Sequence, residues 1–118
     1  MLSGENPVIN GDGNQTRDYV FIGDTVEANI KAIEGNFVGC VNIGTGIETS
    51  VNQLFYILKN ISQNPKLKEA HGPAKPGEQY RSVLNYTLAK KVLGWEPKIK
   101  IEEGLKITYR WFLVNISK

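Results

Sequence analysis

The stretch Gly11-Asp12-Gly13-Asn14-Gln15-Thr16-Arg17-Asp18-Tyr19-Val20-Phe21-Ile22-Gly23-Asp24 runs from a turn through a strand to a helix start. Its first residues are glycine, aspartate and asparagine, which tolerate left-handed backbone or bond their own main chain and so make loops. Asp18 to Ile22 is a short run of aromatic and β-branched residues and reads as a strand. Asp24 then reads as a helix cap. Its carboxylate can accept from an unpaired backbone N–H, and Glu27 three residues on completes a capping-box pattern. Val26, Ile30 and Ile33 recur at helical spacing, and Gly35 stops the helix.

Outward from this stretch the elements follow in order. Upstream, Val8 and Ile9 suit a short edge strand. Downstream, Val38 to Ile43 reads as a second, buried strand, and Gly44-Thr45-Gly46 turns the chain. Ser50 with Gln53 forms a second capping box, opening a helix that buries Val51, Leu54, Phe55, Leu58 and Ile61. Strand, helix, strand, helix in this order predicts parallel pairing through crossover helices. Pro65 to Pro76 is a proline-punctuated connection, and Tyr80 to Leu84 a short extended piece. Thr87 opens a short helix that Gly94 ends as a left-handed C-cap. Glu102 to Val114 forms a last amphipathic helix with Leu105, Tyr109 and Phe112, slightly weakened by Gly104. The fold class is therefore α/β, a small parallel β-α-β-α unit followed by C-terminal helices, in one domain over residues 1–118.

Composition excludes several functions. The net charge is +2 over 118 residues, too small for a nucleic-acid footprint. Lys90, Lys91, Lys98 and Lys100 read as a solvated surface. Cys40 is the only cysteine, so no disulfide forms within the chain, and its apolar neighbours suggest a buried, inert thiol. His71 is the only histidine, and no cluster suggests a metal. There is no apolar run of membrane-spanning length and no signal-peptide core. The expected location is cytoplasmic, where the Asn-x-Ser/Thr matches at Asn14, Asn60, Asn85 and Asn115 are chance.

A few residues can carry chemistry. Arg17 follows a glycine-rich turn, where a guanidinium can grip a phosphate with two parallel bonds. The alternative is an ion pair with Asp18 or Asp24. Asp18 reads as structural, a carboxylate that orients Arg17 or caps a turn. Gly44-Thr45-Gly46 lies between a strand and a helix but lacks the third glycine of a dinucleotide fingerprint, so it reads as a structural turn. Tyr86 and Lys90 share the spacing of a tyrosine–lysine catalytic pair on one helix face.

Taken together, these blocks resemble the substrate-binding half of nucleotide-sugar epimerases and dehydratases, NAD-dependent enzymes of the extended short-chain dehydrogenase/reductase superfamily. The resemblance runs from Val8 to Phe112. It includes Gly13-x-Gln15-x-Arg17-Asp18, Asn42-Ile43-Gly44-Thr45-Gly46, Pro73 to Ser82, Leu93-Gly94-Trp95-Glu96-Pro97 and Glu102-Glu103-Gly104-Leu105. Among the family's branches it is most similar to the UDP-glucose 4-epimerases. The resemblance implies that Arg17 and Lys75 reach the diphosphate of a UDP-sugar and that Glu78 accepts from a ribose hydroxyl. The backbone at Asn10 would meet the base. Lys75 stands where the family usually has arginine, Asn10 where it often has an aromatic residue, and Gly23 where it has a larger one. Arg81 is expected in packing or a salt bridge.

The same resemblance implies that NAD and the catalytic tyrosine–lysine pair belong to an N-terminal Rossmann domain that these residues do not contain. No cofactor, metal or catalytic residue is therefore expected within the chain, and Tyr86 and Lys90 are expected to be decoys. The expected function is the sugar-nucleotide-binding portion of an epimerase that moves a hydride between sugar C4 and NAD. The alternative is a stand-alone or decayed binding module that pairs with a separate Rossmann subunit. The expected partners are a UDP-sugar and either such a subunit or a second copy through an exposed apolar face, with neither nucleic acid nor membrane.

Overall fold

A computed structural model describes residues 1–2 and 5–116, so Ser117 of the Asn115 glycosylation match lies outside the described residues. Two separate two-stranded ladders organise the chain. β1 (Val8–Asn10) pairs in parallel with β4 (Ala70–Gly72), with Ile9 opposite His71. β2 (Thr16–Arg17) pairs antiparallel with β3 (Thr49–Ser50), with Arg17 opposite Thr49. The helices are α1 (Ile22–Glu34), α2 (Val51–Ser62), α3 (Thr87–Leu93) and α4 (Ile101–Ile116). α2 packs on α4 and α1 on α3.

Local signals placed several boundaries correctly. Ser50 accepts from the Gln53 N–H at 3.1 Å while its own N–H donates to the Gln53 side chain at 2.8 Å, the reciprocal box that starts α2. Gly94 ends α3 at φ +62°, a conformation that costs most side chains about 1–2 kcal/mol. Gly104 lies where a Cβ would meet the Phe21 ring at 3.1 Å. The loss of helix propensity there permits α4 to close on the start of α1.

Other expectations are corrected. Asp18 to Ile22 is not a strand: residues 18–21 are irregular and α1 already begins at Ile22. Asp24 is therefore not the cap. It lies inside the first turn of α1, buried, and its carboxylate accepts from the N–H groups of Lys98 and Ile99, each at 3.0 Å. It ties α1 to the approach to α4 instead of closing its own helix. Val38 to Ile43 forms no strand and Val38 is 95 % exposed. A strand needs a neighbour for its N–H and C=O groups, and among the described residues nothing pairs with this one. Cys40 is exposed for the same reason. In place of the expected strand, β4 arises within the Pro65–Pro76 connection.

The core is small. Ala28, Ala89 and Trp95 form its centre, with Val20, Val41, Ile43, Tyr86 and Leu93 packed around them. Ile9, Phe55 and Leu67 are buried elsewhere. The Trp95 indole N–H donates to the Asp24 carbonyl at 2.8 Å, and Tyr86 meets the indole edge-on. By contrast Ile22, Val26, Ile30 and Ile33 leave an apolar stripe along α1 open to solvent. The radius of gyration is 16.7 Å, against about 13–14 Å for a compact domain of this length. The chain is a slab of 50 × 36 × 20 Å, with less interior than its sequence could fill.

Candidate functional site

The site is built where the two ladders approach each other. Gln15 is buried and its side chain donates to the Asn10 carbonyl at 2.9 Å. The Thr16 N–H donates to the Tyr80 carbonyl at 2.8 Å. These bonds hold β1, β2 and the Lys75–Tyr80 loop around a cleft of about 360 Å³. Asn10, Gly11, Asp12, Lys75, Glu78 and Tyr80 contribute to its walls.

Arg17 stands at the edge of this cleft. It donates to its neighbour's carbonyl, Thr16 O, at 2.7 Å and to Glu78 Oε1 at 3.2 Å. The ion-pair alternative at Arg17 is thus realised, but with Glu78 in place of Asp18 or Asp24. Two of the five guanidinium N–H donors are used, and among the described residues three remain for a ligand. Lys75 makes no ion pair among the described residues. Four residues singled out from sequence, Asn10, Arg17, Lys75 and Glu78, are therefore brought to one place. Asp12, Gln15 and Tyr80 also shape it. The sequence marked Asp12 only as a loop and Gln15 only as a motif position, because side-chain bonds between distant segments leave no periodic trace.

Neighbouring polar residues are structural. Arg81 grips Glu48 through two bonds of 3.0 and 2.7 Å, the salt bridge expected of it. The Arg81 and Thr16 bonds hold the Glu48 carboxyl below its ordinary range. Asp18 accepts from the Thr45 hydroxyl at 2.6 Å and from the N–H groups of Thr45, Gly46 and Leu84 at 2.8, 2.9 and 3.2 Å. A Cβ on Gly44 would lie 2.8 Å from this carboxylate, so the turn needs glycine there. Burial pushes the Asp18 carboxyl up, but the bonds from Thr45, Gly46 and Leu84 outweigh it and hold the group below 3.8.

A group whose folded value is lowered binds protons less well in the native state. Its stabilisation is complete above 3.8 and is lost as pH falls through the lower folded value. Asp18→Asn should therefore lower stability at neutral pH and weaken the acid-induced loss, measured by urea unfolding between about pH 6 and 2.

The Thr45 and Gly46 amides are thus taken by a carboxylate, which leaves this turn no cradle for a pyrophosphate. The residues of this turn do not fit the diphosphate of NAD. Tyr86 is packed on Trp95 and Lys90 pairs with Glu96, so this tyrosine and lysine serve the core and the surface. Among the described residues no group of three or more His, Cys, Asp or Glu could hold a metal, and no helix is long and apolar enough to cross a membrane. A larger cleft of about 490 Å³ lies between Tyr19, Thr45, Tyr86 and the start of α4. Two exposed lysines, Lys98 and Lys100, line it; Lys98 is tied to Glu27 at 2.8 Å, and the cleft contains none of the four candidate residues.

Comparison with known proteins points the same way. Residues 1–108 match the family described as GDP-mannose 4,6 dehydratase. The chain is 43% identical over 115 residues to a Methanocaldococcus jannaschii protein provisionally assigned as a UDP-glucose 4-epimerase, covering 98% of this chain and 37% of the relative. It is 46% identical to the UDP-glucose 4-epimerase of Thermotoga maritima solved with UDP-glucose, with a TM-score of 0.93 over 98% of this chain and 37% of that one. A Bacillus cereus UDP-glucuronic acid 4-epimerase solved with UDP-glucuronic acid and NAD is 26% identical, with a TM-score of 0.88 over 96% and 37% of the two chains. The chain thus spans little more than a third of these relatives, and its fold matches their C-terminal part. It belongs to the NAD-dependent epimerase/dehydratase family and is UDP-glucose 4-epimerase-like.

Proposed function

We propose that this chain is the sugar-nucleotide-binding portion of a UDP-glucose 4-epimerase-like enzyme of the cytoplasm. Arg17 and Lys75 take the diphosphate, Glu78 accepts from a ribose hydroxyl, and the backbone at Asn10 meets the base. These residues do no bond-making. They hold the nucleotide so that binding energy remote from the sugar positions the reacting carbon. The carrying observation is the meeting of Arg17 and Glu78 at 3.2 Å across 61 residues of sequence, beside a cleft walled by Lys75 and Asn10. On ligand binding, the diphosphate replaces Glu78 as the partner of Arg17, and Glu78 turns to the ribose.

NAD and the catalytic base lie outside residues 1–118 in this reading. The bare stripe of Ile22, Val26, Ile30 and Ile33 on α1 supports a covering partner, since apolar surface of this kind is usually buried. That partner is the NAD-binding part of the enzyme, whether on the same polypeptide or on a separate subunit. The same stripe favours the second reading, a binding module that associates with a Rossmann subunit. Epimerisation of UDP-glucose tests both. The chain with added NAD is expected to leave UDP-glucose unchanged, and the chain mixed with an NAD-loaded N-terminal part of a related 4-epimerase is expected to form the C4 epimer. Turnover by the chain alone would overturn the assignment.

A further inference from the structure

We propose that His71, as a cation, is a positioning residue that clamps the Gly11 wall of the cleft, so that nucleotide affinity answers to pH. The clamp stands on geometry, and its effect on affinity rests on the nucleotide reading above. Gly11 has φ +69°, and both of its backbone polar groups are held from β4. Its N–H donates to the Gly72 carbonyl at 3.0 Å, and its carbonyl lies 2.7 Å from His71 Nδ1. A carbonyl only accepts, so Nδ1 carries a hydrogen. The other ring nitrogen, Nε2, lies 2.7 Å from Glu69 Oε1. Glu69 also accepts from the Tyr56 hydroxyl on α2, which is the behaviour of a carboxylate. A neutral imidazole has one N–H, and both contacts face acceptors. Both are satisfied only by the imidazolium.

The charges around the ring agree. Glu69 and Asp12 face His71, while Tyr56 and Lys59 face Glu69. The Glu69 bond first, and then the Gly11 carbonyl, raise His71 above its ordinary 6.5 against a smaller opposing effect of burial. A raised value means that the folded state holds the proton more tightly than the unfolded chain. The clamp is therefore complete below 6.5 and is lost as pH rises through the higher folded midpoint. Once the proton leaves, an Nδ1–H tautomer aims its bare Nε2 lone pair at the Glu69 carboxylate. The ring turns away, and the carbonyl between Asn10 and Asp12 loses its anchor.

UDP-glucose is the suitable probe, because its diphosphate ester does not titrate near neutrality. Expected for the chain is a fall in affinity of about tenfold as pH rises through the His71 midpoint, the low end of the loss of one charge-assisted bond. In the ligand-free protein, the Gly11 and Asp12 amide resonances should titrate with the His71 ring. His71→Asn offers an N–H near the Nδ1 position without a titrating group, and should bind with affinity independent of pH over this range. His71→Ala should bind weakly at every pH. Silent Gly11 and Asp12 amides, or identical pH profiles for the wild-type chain and His71→Asn, would overturn the proposal. If the folded chain binds no UDP-glucose at any pH, the nucleotide reading fails, and the amide titration alone decides whether His71 clamps this wall.

Discussion

Arg17→Ala is expected to lower the affinity of the chain for UDP about a hundredfold while leaving the fold intact. In the proposed site the guanidinium is the strongest candidate phosphate ligand beside the cleft, with donors spare among the described residues beyond its bonds to Thr16 and Glu78. Charge-assisted bonds are worth about 1.5–3 kcal/mol each, so losing a two-bond grip at the low end of that range corresponds to about two decades in affinity. The fold is spared because the Arg17–Glu78 pair is part-exposed, with side chains 30% and 32% accessible, and pairs of this kind contribute at most about 1 kcal/mol. Arg17→Lys should fall between, about tenfold weaker than the wild-type chain, because lysine keeps the charge without the planar fork. Calorimetric titration measures the affinities and circular dichroism the fold. Equal affinity of the wild-type chain and Arg17→Ala would remove Arg17 from the site.

The largest expected loss of stability belongs to Trp95→Ala. Trp95 is fully buried at the centre of the core cluster. Its removal leaves a cavity among Ala28, Ala89 and Tyr86 and strips the buried Asp24 carbonyl of its 2.8 Å donor. Replacing a buried aromatic by alanine costs about 3–5 kcal/mol, most of the stability of a modest domain. The melting temperature should fall by about 15 °C. Trp95→Phe keeps a six-membered ring but loses the pyrrole part with its N–H, and should cost less than alanine, about 2–3 kcal/mol. A fall of only a few degrees for Trp95→Ala would show that the interior is held elsewhere, for instance at Phe55 and Leu67.

What sequence reveals here is what neighbours in sequence determine. Ser50 with Gln53, and Gly94 after Leu93, mark helix ends because the groups that satisfy each other lie within a few residues. Val38 to Ile43 has the composition of a buried strand but no ladder partner among the described residues, so Val38 and Cys40 lie in solvent while Val41 and Ile43 pack on the core cluster. Propensity records what a segment suits, while pairing depends on what lies beside it. Asp24 misleads in a related way. Its position before an apolar stripe resembles a cap, yet its acceptors serve Lys98 and Ile99, more than seventy residues away. At the candidate site, the resemblance to nucleotide-sugar enzymes singled out Arg17, Lys75 and Glu78, which the fold brings near one cleft. The bond from Gln15 to Asn10, the strand at Ala70–Gly72 and the contact of His71 with Gly11 were not, since each joins segments whose proximity only the fold creates.

In the proposed function Asn10, Arg17, Lys75 and Glu78 form one nucleotide site. Titration of the isotopically labelled chain with UDP, followed through its backbone amide resonances, tests it most directly. Saturable shifts confined to Asn10–Asp12, Arg17 and Ala74–Tyr80 are expected, with Lys98–Glu102 at the larger cleft unmoved. Shifts centred on that larger cleft, or no shifts from a folded and monodisperse chain, would contradict it.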